Sequence, residues 1–195
     1  MYEIPTAVVV GEQSFAIRNK GDYRVVLDCF SALSDMELSE TERTYASLII
    51  FYEQFNDIED LLLVDKDTIH SLVNEMYKFF KCGEEDIGIR TNFKAIDWES
   101  DQQLICSAVN KVANQEIRTT EYLHWWTFMG YFMEVGESVL ATVVSIRNKK
   151  MKGKKLEKYE REFIRSNPQY FVWDSRTAEQ KANDAYFENL WNSNS

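Results

Sequence analysis

Few residues of this chain have the type and spacing to do chemistry. Histidine occurs twice, at His70 and His124, and cysteine three times, at Cys29, Cys82 and Cys106. Neither histidine has a cysteine or a second histidine at ligand spacing, and a structural zinc needs four convergent ligands. No bound metal and no cofactor is therefore expected. The cysteines are odd in number, scattered and without a Cys-x-x-Cys pair, which argues against a disulfide framework and fits a reducing cytoplasm. Cys29 and Cys106 lie beside apolar neighbours and read as small core residues. Asp97, Glu99 and Asp101 are close enough for general acid–base work. They stand where a helix is expected to begin, however, and there acids complement the positive end of the helix dipole. The chain also lacks the Gly-x-Ser-x-Gly elbow, the Gly-Lys-Ser/Thr phosphate loop and the Gly-x-Gly-x-x-Gly turn. A protein without catalysis is the expectation.

Binding chemistry is better represented. Tyr122-Leu123-His124-Trp125-Trp126-Thr127-Phe128 is an aromatic block with a lone histidine inside it. His124 has no acid–base partner nearby and reads as a satisfied structural histidine. With Thr119 or Thr120 as the cap of a helix, Tyr122, Leu123, Trp126, Met129 and Met133 occupy it, and Trp126 falls on the core stripe. Trp125 is then rotated by about 100° and aligns with Phe128 and Phe132. Trp125, Phe128 and Phe132 are accordingly candidate partner-binding residues, with the aromatic character of interface anchors. The alternative is a central helix, apolar all round, with both tryptophans buried. Tyr186, Phe187 and Trp191 crowd one end of a last helix expected over 177–191 and complete that candidate set.

The other binding feature is basic. Arg147, Lys149, Lys150, Lys152, Lys154 and Lys155, with Lys158 just beyond, form a candidate basic patch. Seven of the chain's 22 bases fall within 147–158 against one of its 32 acids, which leaves the rest of the chain at −16. No aromatics interleave with these lysines to stack on bases, so nucleic acid is not the expected partner. Two readings stand: a solvated loop between two helices, or docking on an acidic partner such as the acidic bulk of a second copy.

The elements that must position these residues follow from periodicity. Residues 6–10 and 13–17 read as strands around Gly11-Glu12, a loop that suits a type II′ turn. That register sets Val8 opposite Phe15 and puts Val8, Val10, Phe15 and Ile17 on one face, which must lie on helices or on a partner. Helical stripes then run through Tyr23, Val26, Leu27, Phe30 and Leu33. Another stripe, Tyr45, Leu48, Ile49 and Tyr52, follows a Ser39/Glu42 capping box. A third runs through Ile69, Leu72, Val73, Met76 and Phe80, from Asp67 to Gly83. The pattern lapses over 84–96, read as a connecting loop, and resumes with Trp98, Ile105, Ala108 and Val112. Residues 137–146 are rich in β-branched side chains, yet their place among helices favours a helix. A further helix over 156–165 ends at Asn167-Pro168. The expected parts are 1–83, a loop at 84–96, 97–170 and an extension at 171–195, forming one compact unit overall.

Composition bounds the class. The chain has 195 residues, 45% of them hydrophobic and 14% aromatic, with only seven glycines and two prolines. That scarcity argues for long helices and against a turn-rich sandwich. The net charge of −10 opposes wholesale nucleic-acid binding. No apolar run is long enough to span a membrane, and the acidic start does not read as a secretory signal. The fold expected is mainly α, a helical bundle with an N-terminal β-hairpin.

Several of these blocks together resemble the bacteriophage gene product fifteen family. They are Ile4-Pro5-Thr6 with its hairpin, Asp35-Met36-Glu37-Leu38-Ser39-Glu40-Thr41-Glu42, Asp97-Trp98-Glu99-Ser100-Asp101, the His-Trp-Trp block, and Ser145-Ile146-Arg147. They recur in the family's order over about residues 4–165. The chain departs from the pattern in a longer tail beyond residue 171 and in a lysine-rich stretch compressed into 147–158. The resemblance implies a small tail-morphogenesis protein of phages and prophages with long non-contractile tails, in the cytoplasm of a Gram-positive host. It implies a tail assembly chaperone whose partners are the tape measure or tail tube protein, with self-association also expected. A structural tail component and a regulator of a host protein are the alternatives.

Overall fold

The structure is a computed structural model that describes residues 3–83 and 95–171. Strands β1 (Ala7–Val10) and β2 (Gln13–Ala16) pair antiparallel, with Val8 opposite Phe15 and Val10 opposite Gln13, the register expected from the sequence. Of the two loop residues only Gly11 has a positive φ, +61°, which is the type II′ pattern. Val8, Phe15 and Ile17 are buried, and Val9 is exposed on the other face. The hairpin is not left alone in water. Ile17 bridges Tyr52, the Glu53 amide donates to the Ala16 carbonyl at 3.0 Å, and β1 lies against α4 (Lys66–Phe80).

Eight α-helices follow the hairpin among the described residues. They are α1 (Tyr23–Ser34), α2 (Glu40–Phe51), α3 (Ile58–Leu62), α4, α5 (Gln102–Ala113), α6 (Trp125–Met133), α7 (Val139–Met151) and α8 (Lys158–Ser166). The protein is thus mainly α-helical with an N-terminal hairpin. The Ser39 hydroxyl accepts from the Glu42 amide while the Glu42 carboxylate accepts from the Ser39 amide, the expected capping box. Helix α4 is capped by Asp65, not started by Asp67, because the Asp65 carboxylate takes the Thr68 amide at 2.9 Å. Residues 139–151 are helical despite their β-branched content, and the Ser138 hydroxyl accepts the Ala141 amide. Trp98 and the carboxylates around it lie in the turn before α5. The connecting loop falls mostly on 84–94, outside the described residues, as does the last helix expected over 177–191.

The chain divides into two compact units, Met1–Ala141 and Thr142–Ser195. Helices that precede and follow residues 84–94 pack together in the first of them: α6 lies on α1. In the first unit an aromatic series runs from Phe15 through Tyr52, Phe51, Phe80 and Phe30 to Trp125 and Phe128, each ring within 6.0 Å of the next. Rings at such separations add edge-to-face and offset-stacked attraction to their burial. In the second unit the Arg147 guanidinium donates to the Tyr170 carbonyl, at 2.7 Å from one terminal nitrogen and 3.0 Å from Nε. Lys149 pairs with the buried Glu160 at 2.6 Å. Among the described residues no helix is long and apolar enough to cross a membrane.

Arg18 ends α2. Its Nε lies 3.1 Å from the Ile50 carbonyl oxygen, and one terminal nitrogen is within 3.0 Å of the Ile49, Tyr52 and Phe55 carbonyls. Ile49 and Ile50 are among the carbonyls a helix leaves without internal donors, at the negative end of its dipole, and Tyr52 and Phe55 follow it. Arg18→Ala is expected to cost about 2–3 kcal/mol, the range for hydrogen bonds to a charged donor. Arg18→Lys should recover less than half of that, because an ammonium cannot spread over the fork the guanidinium spans. Urea unfolding midpoints of the two variants check both figures.

Candidate functional site

The aromatic block is held by three separate parts of the first unit. Residues 121–123 are not helical. The Tyr23 amide donates to the Leu123 carbonyl at 2.9 Å, and the Leu123 amide donates to the Asp22 carboxylate at 2.9 Å. Asp22 also caps α1 through the Arg24 amide and pairs with the Arg24 guanidinium at 3.1 Å. Arg24 in turn donates to the Thr120 carbonyl at 2.7 Å. One buried carboxylate therefore joins the start of α1 to the strand-like entry of the block.

Helix α6 starts at Trp125, with His124 as its cap. The Trp126 amide lies 3.1 Å from His124 Nδ1. An amide can only donate, so Nδ1 accepts, the proton sits on Nε2, and Nε2 donates to the Pro5 carbonyl at 3.0 Å. Burial holds the His124 imidazole below its ordinary pKa, against the opposing pull of the Pro5 carbonyl and of Asp22. Gly21, at φ +79°, makes room for this ring. A Cβ there would stand 2.7 Å from Phe79 Cζ and 3.0 Å from His124 Nε2.

The two indoles close the other end of the junction. Trp125 Nε1 donates to the Phe80 carbonyl and Trp126 Nε1 to the Phe79 carbonyl, both at 3.0 Å. These are the last two residues of α4. Its end is otherwise a Schellman-type turn, in which the Gly83 amide returns to the Lys78 carbonyl and the Cys82 amide to that of Phe79, each at 2.9 Å. The Trp126 ring lies over Gly83, whose added Cβ would meet it at 3.1 Å.

This placement reverses the order expected for the tryptophans. Trp125 and Phe128 are each 1% exposed, so neither is an outward anchor, and Phe132 and Trp126 are half-buried. The reason is the start of the helix: with His124 as cap, Tyr122 is not on α6 and Trp125 heads its buried face. Tyr186, Phe187 and Trp191 lie outside the described residues. The basic run also divides. Arg147 and Lys149 turn to partners within the second unit, whereas Lys150, Lys152, Lys154 and Lys155 are exposed. The Lys149 ammonium and the Glu157 amide at 2.7 Å hold the Glu160 carboxyl below the usual carboxylate range.

The candidate catalytic groups are engaged elsewhere. Asp97 accepts the Glu99 and Ser100 amides, and Asp101 accepts the Asp97 amide, all between 2.8 and 3.1 Å. Cys29 is fully buried and its thiol is pushed up by burial. Among the described residues no three His, Cys, Asp or Glu side chains converge as metal ligands. Sequence reasoning missed α3, where Leu61 is buried while Leu62 is 68% and Leu63 87% exposed. Three successive leucines between acids were the sign available.

The fold comprises a helical unit stapled through an aromatic block and a smaller helical unit with a basic turn. The family model described as Bacteriophage Gp15 protein matches residues 3–171, and the chain belongs to that family. No curated protein and no solved structure matches the chain in the same comparisons.

Trp125→Ala is expected to cost about 3–5 kcal/mol, as for an aromatic removed from a core. Trp126→Ala should cost about 1–2 kcal/mol, for a half-buried ring and one hydrogen bond. Thermal unfolding of the pair decides the order. His124 adds a pH dependence of definite sign. Its folded pKa is lowered, so the unfolded chain takes the proton first. That contribution is complete above about pH 6.5 and shrinks as pH falls toward the folded pKa. His124→Asn keeps a capping oxygen and should flatten the difference in stability between pH 7 and pH 5.5. An unchanged slope in the variant would place the titrating group elsewhere.

Proposed function

We propose that this chain is a non-catalytic tail morphogenesis protein, a chaperone that holds the tape measure or tail tube protein before polymerisation in the cytoplasm of the bacterial host. The observation that carries the reading is membership of the phage family over residues 3–171. Two features of the molecule support it. The polar side chains best suited to chemistry, His124 and the Asp97/Asp101 pair, are committed to backbone groups. Apolar side chains outside α3, Val9 and Met133 among them, meanwhile remain at the surface of a chain of net charge −10, and a protein that shields another needs both apolar contact and solubility.

Affinity capture of the tagged chain from infected cells, followed by identification of what it binds, tests the proposal. The expected result is enrichment of the tape measure or tube protein together with absence of the chain from purified virions. Stoichiometric presence in virions would make it a structural tail component, and enrichment of a host protein alone would make it a regulator. His124→Gln should leave partner capture intact at temperatures where the variant is folded. An enzymatic activity lost in that folded variant would overturn the non-catalytic reading.

A further inference from the structure

The described residues hold two exposed surfaces of opposite charge, each with an apolar centre. The first is α3. The helix has five residues and buries only Leu61, so Leu62 and Leu63, each about 100° further round, project into solvent beside the exposed Ile58. Residues 53–67 around them carry six acids, Glu53, Asp57, Glu59, Asp60, Asp65 and Asp67, against the single base Lys66. Several of these carboxylates also cap local backbone, Asp57 for the Asp60 amide and Asp65 for that of Thr68, so they are fixed about the leucines.

The second surface is the turn after α7. Met151 is exposed, Gly153 turns the chain at φ +62°, and Lys150, Lys152, Lys154 and Lys155 project around it. None of these four lysines is drawn into the internal pairs that occupy Arg147 and Lys149. An apolar knob with an acidic rim and an apolar spot with a basic rim are complementary in the way protein interfaces are, with contact at the centre and opposite charges outside.

We propose that the α3 face of one copy docks on the 150–155 turn of a second copy. The contact joins unlike surfaces, and each copy offers one of each. A pair that makes the contact twice closes as a two-fold dimer, and a pair that makes it once propagates into rings or open chains. Charge also selects this arrangement. Two α3 faces repel each other, as do two basic turns, and only the unlike pairing brings the leucines out of water without burying like charges together.

Sedimentation velocity and light scattering on the full chain test the proposal. Wild-type protein should show an average mass that rises with concentration at low salt. The apparent affinity should weaken at least tenfold when salt is raised from about 0.05 to about 0.5 M. A variant carrying Leu62→Glu and Leu63→Glu, and another carrying Lys152→Glu and Lys154→Glu, should each be monomeric with an unchanged far-ultraviolet spectrum. Leu63→Ser serves in place of the double variant if that one unfolds. An equimolar mixture of the two variants retains one intact interface, so it should form a heterodimer that does not grow. A wild-type chain that stays monomeric at about 1 mM, the weak end of specific association, would overturn the proposal. So would assembly that survives either set of substitutions, or a mixture in which the variants do not pair. Assembly that requires a second tail protein would assign the α3 face to that protein, and would also overturn it.

Discussion

Two indole N–H groups on consecutive residues hold the end of α4, and much of the first unit's geometry depends on them. A helix finishes on carbonyls that have no donor within the helix, and burying them unsatisfied is costly. Trp125 supplies the donor for Phe80, and Trp126 adds one to the Phe79 carbonyl, which also takes the Cys82 amide. Because the two residues are adjacent, their indoles reach successive carbonyls only if α6 begins just there. His124 is thereby placed at the cap, its Nδ1 taking the Trp126 amide and its Nε2 spanning to Pro5 at the entry to the hairpin. Leu123 is left to meet Asp22 and Tyr23, and Phe128 comes to stack on the Tyr23 ring with 4.8 Å between centroids. Gly21 is then required by sterics, since a side chain there would displace either Phe79 or the imidazole.

The same economy recurs at several other segment ends. With seven glycines and two prolines in 195 residues, the chain has few residues that terminate helices through backbone conformation alone. Side-chain donors do that work instead. Arg18 collects the carbonyls at the end of α2, Arg24 takes that of Thr120, and Arg147 takes that of Tyr170. Asparagine and cysteine also accept the left-handed conformation at helix ends: Asn114 follows α5 at φ 52°, and Cys82 follows α4 at φ 56° beside the indole donors. Arg118 makes a different bond. It grips the Glu116 carboxylate through Nε and a terminal nitrogen, both at 2.8 Å, and holds that carboxyl down to about 2.

Features governed by near neighbours in the chain could be read from the sequence. The hairpin register follows from alternation and from Gly11, the Ser39/Glu42 box from two residues three apart, and the main helical stripes from their period. The tryptophan order could not be read in the same way. Histidine is not among the usual capping residues, so Thr119 or Thr120 was the natural start, and a start several residues early lets Tyr122 define a stripe to which it does not belong. The commitment of Arg147 and Lys149 was hidden because their partners, the Tyr170 carbonyl and Glu160, lie 23 and 11 residues away. Helix α3 escaped because five residues are too few to display a period of 3.6.

Net charge is a poor description of this molecule, because the acids and bases are not mixed. Arg147 and Lys149 are spent internally, so the basic character that reaches solvent is concentrated in the lysines on either side of Gly153. The acidic excess is spread over the first unit and includes the carboxylates that frame the leucines of α3. An apolar patch framed in this way is protected from its own kind: like-charged rims keep copies from meeting through identical faces, which is the association that a bare leucine pair invites. A neutral rim of serine or glutamine would leave the leucines open to any apolar surface. A charged rim repels like-charged surfaces before any contact is made, which is how discrimination by repulsion operates.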